Sequence, residues 1–584
     1  MSNHHQNPDI GATRPESSLS STDSDSIDSR PRSIEIARIY SGRHLDDHSV
    51  YHSDQDNALA DSGSTSQHHH EKDTALEARD GIVNERGLDL EANRQEPAEL
   101  EKPRTAGSNQ SAADPKLVTW TGPDDPENPK NWPMNKKWAI VLMVSSFTFI
   151  SPVSSSMVAP ALTTLAKDLH IEDAVESQLA LSIFVLAYAV GPLFLGPLSE
   201  IYGRVIILQL SNLFYLIFNI ACGVSQTKTQ MIVFRFFAGL GGSAPLAVGG
   251  GVLSDCFKPE ERGKSIAIYS LAPLLGPAVG PIAGGFIAEH TTWRWVFYAT
   301  SIVDGAIQIA GLFLLKETYA PRILQTRAHK LRTQTNDPSY QTDSERLNTN
   351  TSLPHLLRTA LIRPFRLLTT QPIVQAIALY LAYTYGIMYL VLSTFPTLWT
   401  GEAYYNESIG IGGLNYISLG IGFWFGSQLC APLNDRIYRR FKSKNNGVGL
   451  PEFRLPLLSI SAFLTPAGLF IYGWAGEKQV HWIVPNIGAA LFGMGNIITF
   501  QCTQTYLIDA YTRFAASALA ATACMRSLCG FGFPLFAPYM YDVLHFGWGN
   551  SLLGFVSLAL GIPAPIFLWK FGAALRKKSP FAAG

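Results

Sequence analysis

The sequence predicts an all-α membrane protein of twelve transmembrane helices that follow a long polar N-terminal segment. Three observations support this fold class. First, 47% of the 584 residues are hydrophobic and only 16% are charged, whereas soluble domains carry roughly 25% charge. Second, apolar stretches of about 20 residues, the length that crosses a bilayer core, recur from Lys137 onward. Third, the charges of that region are confined to short clusters between those stretches.

Residues 1–118 are predicted to be a disordered cytoplasmic tail. Ser18–Ser29 and Glu71–Lys102 contain too few large apolar side chains to offset the entropy of an ordered chain. Within the tail, His68-His69-His70 could hold a metal ion, but no second ligand cluster accompanies them, so a solvated polar run is the simpler interpretation. The first thirty residues have no apolar core, and no cleavable signal peptide is predicted.

The apolar stretches are predicted to be helices, because only helices and closed barrels satisfy the backbone in a bilayer and these stretches are too long for barrel strands. Six precede a polar stretch and six follow it. We therefore predict a first half at residues 137–315, a cytoplasmic linker at 316–371, a second half at 372–572 and a cytoplasmic C-terminus at 573–584. The predicted spans are Trp138–Ala159, Gln178–Leu198, Val205–Val224, Met231–Leu253, Ser265–Ala288, Val296–Leu315, Pro372–Leu398, Ile409–Ala431, Leu455–Trp474, Trp482–Tyr506, Ala515–Tyr541 and Leu552–Leu568.

Basic residues in short loops predict the orientation, because such loops stay on the cytoplasmic side. The loop Trp399–Glu407 has two acids and no base, so it is predicted to lie outside and both termini inside. Asn406 begins a glycosylation sequon in that outer loop, whereas Asn109 and Asn350 begin sequons on the cytoplasmic side. The basic loops carry Arg204, Lys258, Arg262, Lys264, Arg436, Arg439, Arg440, Lys442, Lys444, Arg576, Lys577 and Lys578.

Two cytoplasmic turns combine acidic and basic residues. A carboxylate and a guanidinium at a tight turn can form a charge-assisted pair across helix ends, and glycines permit the turn and close helix approach. Such a pair could lock one conformation and break in another. Its occurrence in corresponding loops of both halves favours a gate over two unrelated solvated pairs. The candidate residues are Gly196, Glu200, Gly203 and Arg204 after the second span, and Asp435 and Arg436 after the eighth.

Arg235 lies inside the fourth span. A guanidinium within a membrane costs several kcal/mol on common scales and is usually paired or functional. Snorkelling of its side chain to the nearby outer interface is the alternative. The glycines that follow, Gly239, Gly241 and Gly242, lack the Lys-Ser/Thr ending of a phosphate loop, so no nucleotide site is predicted. Close helix packing explains them better.

The fifth span is rich in glycine and proline. Three glycines recur every four residues and form a flat stripe on one helix face, and its prolines kink the helix or remove backbone hydrogen bonds. A helix that bends against a close neighbour suits alternating access, and packing alone is the alternative. The residues are Gly276, Pro277, Gly280, Pro281, Gly284 and Gly285.

Asp304 lies in the middle of the sixth span and is the strongest candidate for proton coupling. A carboxylate buried in a membrane span could exchange protons near neutral pH, although a simple pair with a polar neighbour is the alternative. Arg526 in the eleventh span is its predicted cationic counterpart in the other half. The substrate path is predicted between the halves, lined by residues that could instead bond neighbouring helices: Tyr383, Tyr385, Asn496, Gln501 and Gln504.

Other classes of protein find little support in the sequence. Lys and Arg total 45 against 46 Asp and Glu, a net charge of -1 that gives no argument for nucleic acid. None of the six cysteines forms a CxxC pair, so no disulfide framework or metal site is predicted. Since no nucleophile–base spacing is present either, we predict neither an enzyme nor a cofactor, and the tail contains no folded module that would indicate a sensor.

From about Trp120 to the C-terminus, these motifs resemble the major facilitator superfamily. Gly196–Arg204 resembles the family's cytoplasmic loop signature, Arg235–Gly239 its fourth-helix signature and Gly276–Gly285 its fifth-helix antiporter signature. Glu200 replaces the usual Asp, Ile201 and Val205 replace common basic residues, and Pro281 replaces another small residue. Further strings resemble the fungal twelve-span drug:proton antiporter branch: Trp293–Phe297, Glu317–Pro321, Pro451–Pro456, Ala515–Ala518 and Phe533–Phe536.

The resemblance implies a major facilitator fold and export driven by inward proton flow. It also implies that Arg235 and the fifth-helix motif take part in coupling, and that Glu200, Arg204, Asp435 and Arg436 gate the cytoplasmic side. The expected cargo is a drug or a fungal metabolite or toxin, and a carrier of polyamines or another polar nutrient is the alternative. The expected partners are this cargo, protons and the bilayer, with no nucleotide, for a monomer in the plasma membrane or alternatively in a vacuolar or vesicle membrane.

Overall fold

The computed structural model describes residues 116–258, 261–347 and 353–582. The predictions of a tail at residues 1–115, a histidine cluster at 68–70 and sequons at Asn109 and Asn350 lie outside these residues. The described chain is helical almost throughout, and its β-structure is one isolated bridge between Leu117 and Gln341. The all-helical fold predicted from the apolar stretches is confirmed.

Six crossings form the first half. The fourth is divided between α5 and α6 at Ser243, where Pro245 lacks the N–H that would continue one helix. A short α2 follows the first crossing. The helices are α1 (Met134–Ser156), α2 (Leu162–Asp168), α3 (Ala174–Tyr202), α4 (Arg204–Val224), α5 (Lys228–Gly242), α6 (Ala244–Cys256), α7 (Arg262–His290) and α8 (Arg294–Leu314).

The segment between the halves contains three helices, which the sequence analysis did not foresee: α9 (Ala320–Thr335), α10 (Asp343–Leu347) and α11 (Leu353–Thr370). The second half follows directly, because Gln371 separates α11 from the next helix. Its helices are α12 (Pro372–Thr400), α13 (Ile409–Leu414), α14 (Tyr416–Lys444), α15 (Pro456–Glu477), α16 (Ile483–Ala510), α17 (Ala515–Gly561) and α18 (Pro563–Lys577).

The last helical stretch contains two crossings. Among the described residues, eleven continuous stretches are long and apolar enough to span a membrane, and the last of them has 63 residues. Such a stretch would measure about 95 Å if straight, roughly three times the core of a bilayer. It turns back at His545, which has a φ of 54°. Tyr541 stacks on Phe546 across that turn at 4.5 Å, so the predicted total of twelve spans is confirmed.

The two halves meet along two sets of helices. α3 packs against α17, and α7 packs against α13 and α14. α4 and α8 instead pack within the first half and expose large apolar side chains such as Ile217 and Phe313, as expected of a lipid-facing surface. We call the end of the bundle that carries Arg204 the Arg204 end, and the opposite end, which carries Glu289, the Glu289 end.

The gap between the halves is closed toward the Glu289 end. Every residue of 150–162, at the end of α1 and just beyond it, is buried, and so is every residue of 389–396 in α12. Glu289 of α7 accepts hydrogen bonds across the interface from Ser408 Oγ at 3.1 Å and from the N–H of Gly410 at 2.5 Å. Nearer the Arg204 end, Tyr385, Gln501 and Gln504 stay partly exposed.

The first described residues contact the segment between the halves. Leu117 forms its bridge with Gln341, so residues 116–118, which the sequence analysis placed in the tail, pack against that segment. Asp125 is buried and accepts hydrogen bonds from the N–H of Thr121 at 2.9 Å and from the Arg327 guanidinium at 2.8 Å. These bonds hold the pKa of Asp125 well below its usual range. The chain leading into α1 is thereby tied to α9.

Candidate functional site in the helix bundle

Arg204 begins α4 directly after Gly203, whose φ of 106° suits only glycine. Its Nε donates to Asp255 Oδ2 at 3.3 Å and its Nη1 donates to Ser199 Oγ at 2.7 Å. Glu200, the predicted partner, is largely exposed and lies 3.8 Å from Nη2. The closer acid is Asp255, near the end of α6, which the sequence analysis did not single out.

Glu317 accepts hydrogen bonds from the backbone N–H groups of the first turn of α4. Its Oε1 accepts from the N–H of Arg204 at 3.0 Å, and its Oε2 accepts from the N–H of Val205 at 3.2 Å. A carboxylate is favourable there, because the first N–H groups of a helix lack helical partners and carry the positive end of its dipole. A Cβ at Gly203 would collide with this carboxylate, which gives the predicted turn glycine a second role.

The second half has its own arginine–acid cluster. Arg454 Nη1 donates to Asp435 Oδ1 at 2.6 Å, and its Nε donates to Asp509 Oδ2 at 3.0 Å. Arg436 is exposed and forms no ion pair or hydrogen bond with any other described residue. The prediction that Arg436 pairs with Asp435 is therefore wrong. Consecutive side chains of a helix point about 100° apart, and the cation comes from the start of the next crossing instead.

The two clusters repeat one arrangement. In each half, an arginine at the start of a crossing bridges an acid near the end of the crossing before it and an acid near the end of the crossing after it. These acids are Glu200 and Asp255 for Arg204, and Asp435 and Asp509 for Arg454. Each cluster thus joins the ends of three crossings at the Arg204 end.

The glycine stripe of α7 packs against α1 of the same half. A Cβ at Gly280 would lie 2.7 Å from the carbonyl oxygen of Val153, and the glycines four residues before and after it meet α1 in the same way. Gly285 faces the other half instead, because a Cβ there would lie 2.8 Å from the carbonyl oxygen of Ile409. The motif therefore supports close packing both within the first half and across the interface.

Asp304 is fully buried between α4 and α8. Asn212 Nδ2 donates to both carboxylate oxygens at 3.1 Å and to Gln308 Oε1 at 2.8 Å. No cation pairs with Asp304 within the part of the chain that the structure describes. Arg526, the predicted counterpart in the other half, contacts α12 and α16 rather than Asp304, and its part in proton coupling stays a prediction.

A polar seam continues from Asp304 along α4. Asn219, seven residues after Asn212 and on the same helix face, donates to Thr300 Oγ1 at 2.8 Å and to Ser301 Oγ at 2.9 Å. Its Oδ1 accepts from Ser154 Oγ at 3.1 Å. Side chains of α1, α4 and α8 are therefore bonded to one another inside the first half.

Arg235 is fully buried and does not snorkel. Its guanidinium donates to four carbonyl oxygens of α1 and α3 and lies 4.6 Å from the Phe184 ring. The two in α1 belong to its last turn, where carbonyls lack helical partners and the helix dipole is negative. Ser154 links Arg235 to the polar seam, because its carbonyl accepts from Arg235 and its hydroxyl donates to Asn219. The four carbonyls are those of Ser154, Ser155, Ala180 and Leu181.

A chain of contacts crosses from Arg235 to the second half. The Ser155 carbonyl accepts from Arg235 Nη2 at 3.2 Å, and Ser155 Oγ lies 3.4 Å from the hydroxyl of Tyr389 in α12. The Tyr389 ring packs on Tyr385 at 5.0 Å, and the guanidinium of Arg526 lies 4.9 Å from the Tyr385 ring. Sequence reasoning missed Ser155 and Tyr389, because an ordinary Ser and Tyr in apolar spans give no signal.

The five predicted cavity residues divide into two groups. Tyr383 donates to the Leu553 carbonyl at 2.5 Å, and Asn496 donates to the Thr384 carbonyl at 3.1 Å. Both side chains are buried, and each bonds two helices of the second half to one another. Both therefore match the alternative that the sequence left open, a bond between neighbouring helices. Tyr385, Gln501 and Gln504 are partly exposed, and their place in a substrate cavity stays a prediction. Asn406 is exposed in the loop between α12 and α13.

The structure has twelve crossings in two halves, and each half has one arginine–acid cluster. This arrangement agrees with the family to which the sequence is similar. A model of the Major Facilitator Superfamily matches residues 144–534. The chain belongs to the major facilitator superfamily. It is a multi-pass membrane transporter, and the family assignment drawn from its motifs is confirmed.

Relatives of this major facilitator protein are found among fungi. It is 52% identical over 494 residues to the efflux pump vrtL of Penicillium aethiopicum, covering 84% of this chain and 97% of that protein. It is 41% identical over 469 residues to the efflux pump radE of Floropilus chiversii, covering 80% and 86%. The solved xylose transporter XylE from E. coli matches at 15% identity with a TM-score of 0.55, covering 75% and 98%, and this likeness concerns the fold alone.

Proposed function

We propose that this major facilitator protein exports small, partly apolar molecules, such as drugs or a metabolite or toxin made by the cell, in exchange for protons. The names of vrtL and radE as efflux pumps support export. The gap between the halves supports a partly apolar cargo, because the aromatic ring of Tyr385 lies there next to Gly530 and Val185 of α3. The Phe500 ring lies 5.0 Å from the guanidinium of Arg526.

The Arg204 end is assigned to the cytoplasm, because the basic loops lie there and such loops stay inside. The partly exposed side chains of the gap then lie toward the cytoplasm, the side from which an exporter takes its cargo. Both termini are cytoplasmic in this orientation, and Asn406 lies outside as a candidate for glycosylation. The plasma membrane is the proposed location, and the protein is expected to act as a monomer.

Asp304 is the proposed proton carrier. It is fully buried and, among the described residues, has only the uncharged Asn212 as a hydrogen-bond donor. An ion left without a counter-ion in a membrane is costly, so a carboxylate there can carry a proton in one step and release it in another. This isolated buried carboxylate is the observation that supports coupling most directly.

The polar seam links the α4–α8 contact, where Asp304 lies, to the helices at the interface between the halves. Asn219 and Ser154 connect the α4–α8 contact to Arg235, whose carbonyl ligands belong to α1 and α3. α3 packs against α17 of the other half. A change of charge at Asp304 can therefore alter the helices that border the gap through bonded side chains of the first half.

The Arg204 and Arg454 clusters are the proposed gate residues of the cytoplasmic end. Each holds the ends of three crossings of one half together. A half whose crossings are tied at one end can move as a unit against the other half, as rocking models of such transporters require. Arg454 replaces Arg436 in this role.

The polyamine alternative is weaker on electrostatic grounds. A polyamine site needs carboxylates that face the cargo, because a polyammonium ion binds anions. Asp304 lies between α4 and α8, away from the gap. Arg526 places a positive charge beside Tyr385 at the gap, and that charge repels a polyamine.

The test begins with metabolite profiles of the medium from deletion and parent cells, since a missing compound identifies a cargo. That compound is then offered to proteoliposomes that contain the purified protein and an acidic interior. We expect uptake against its gradient as protons leave, and loss of that uptake when a protonophore collapses the pH difference. Identical media, or uptake that persists with the protonophore, would argue against proton-driven export.

A further inference from the structure

Arg526 is placed at the gap between the halves. It lies on α17 four residues before Gly530 and therefore on the same helix face. A Cβ at Gly530 would touch the Tyr385 ring and Val185 of α3, in the other half. The guanidinium of Arg526 accordingly faces the gap, 4.9 Å from the Tyr385 ring and 5.0 Å from the Phe500 ring.

The charge of Arg526 is not balanced by the protein. Within the described residues it forms no ion pair and no hydrogen bond, and its Nε is shielded from solvent without an acceptor. The two rings stabilise the cation through cation–π contacts, but they accept no hydrogen bond from its N–H groups.

The other arginines of the bundle are treated differently. Arg235 has four carbonyl acceptors, and Arg204 and Arg454 have two acids each. Arg526 is partly exposed, but its buried Nε lacks an acceptor among the described residues. A buried donor without an acceptor is costly, and that cost is removed when an acceptor arrives. An arginine whose N–H groups are free at the place where cargo passes is therefore a binding group awaiting an anion.

We infer that Arg526 binds an anionic group of the exported molecule, most simply a carboxylate, so that the preferred cargo of this transporter is an aromatic or otherwise flat organic acid. The inference rests on the proposed export function and narrows its substrate class. A guanidinium offers parallel N–H groups that match the two oxygens of a carboxylate. The rings of Tyr385 and Phe500 supply apolar surface for the rest of the molecule.

The test is a binding measurement on the purified full-length protein, with naphthoate and its uncharged primary amide as a matched pair of probes. The wild type is expected to bind naphthoate more tightly than naphthamide by roughly 10- to 100-fold, the range of a hydrogen-bonded charge pair. Arg526→Gln should remove this difference and leave the affinity for naphthamide unchanged. Arg526→Lys should keep part of the difference, because lysine retains the positive charge but lacks the parallel N–H groups of the guanidinium.

Arg440→Gln is the matched control, because Arg440 is exposed at the Arg204 end, and it should bind both probes as the wild type does. A preference for naphthoate that survives in Arg526→Gln would overturn the inference. An equal loss of both probes would overturn it too, because it would indicate a structural role. Binding is measured without a proton gradient, so a failure of gradient-driven export would contradict the proposed function separately from this site.

Discussion

A single buried carboxylate, Asp304, carries the proposed coupling. Asp304→Asn should abolish uptake driven by a pH gradient in proteoliposomes, because an amide of the same shape cannot exchange a proton. The exchange of labelled for unlabelled cargo without a gradient should persist, since the amide oxygen can still accept from Asn212. Asp542→Asn, at an exposed acid of α17, is the control and should behave as the wild type does. Gradient-driven uptake that survives in Asp304→Asn would refute the assignment.

A second residue-scale prediction concerns a buried ion pair in the second half. Arg576 of α18 donates through Nε and Nη2 to both oxygens of Glu452, at 3.0 and 2.9 Å, and both side chains are buried. Removing one partner of such a pair leaves an uncompensated buried charge and costs about 3–5 kcal/mol. Glu452→Gln should therefore lower the thermal unfolding temperature in detergent. Lys577→Gln, next to Arg576 but exposed, should leave it unchanged, and equal shifts in the two variants would contradict the prediction.

The residues of the site were predictable where chemistry alone marks them. Arg235, Asp304 and Arg526 stand out because a charge in an apolar span is costly and needs a reason. Their partners were not predictable, since Asn212 and the carbonyls of Ser154 and Ser155 are brought together only by helix packing. For the same reason the sequence pointed to the wrong partner for Asp435, which pairs with Arg454. Two residues that are adjacent in sequence lie on different faces of a helix.

At the scale of elements, the glycine stripe of α7 sets how closely it approaches α1. Gly280→Ala should lower the thermal stability, because the added methyl group would lie 2.7 Å from the Val153 carbonyl oxygen and the backbone there has to shift. Overpacking of this kind costs about 1–3 kcal/mol. Gly250→Ala is the control, because a Cβ at Gly250 meets nothing within 4 Å. Unchanged unfolding temperatures for Gly280→Ala would show that α7 is not held close to α1.

The spans could be predicted because a bilayer imposes one length on every crossing. The way in which the helices of the crossings break or continue could not be predicted. Nothing in the hydropathy marks the division of the fourth crossing at Ser243, and the continuity of the last two crossings through His545 depends on a single turn residue. The helices between the halves were missed because a polar sequence with few apolar residues is typical of a linker. In the structure, α9 is bonded to the chain before α1 through Arg327 and Asp125.

At the scale of the whole molecule, the two ends are held differently. At the Arg204 end, both arginine–acid clusters lie within one half each. At the Glu289 end, Glu289 of α7 bonds to Ser408 and Gly410 at the start of α13, across the interface. Opening the Glu289 end has to break these bonds, whereas opening the Arg204 end breaks neither cluster. The carboxylate of Glu289 therefore favours the arrangement that is closed at its own end.

Glu289→Gln should shift the protein toward the arrangement that is open at the Glu289 end. A neutral amide accepts weaker hydrogen bonds than a carboxylate, and a loss of about 1.4 kcal/mol changes the ratio of two states tenfold. Spin labels at Thr292 and Asn406, one in each half and both exposed, would report the change by double electron–electron resonance as a larger share of long distances. Glu402→Gln, at an exposed acid in the same loop as Asn406, is the control and should leave the distances unchanged. Identical distributions in Glu289→Gln and the wild type would show that this bond does not hold the halves together.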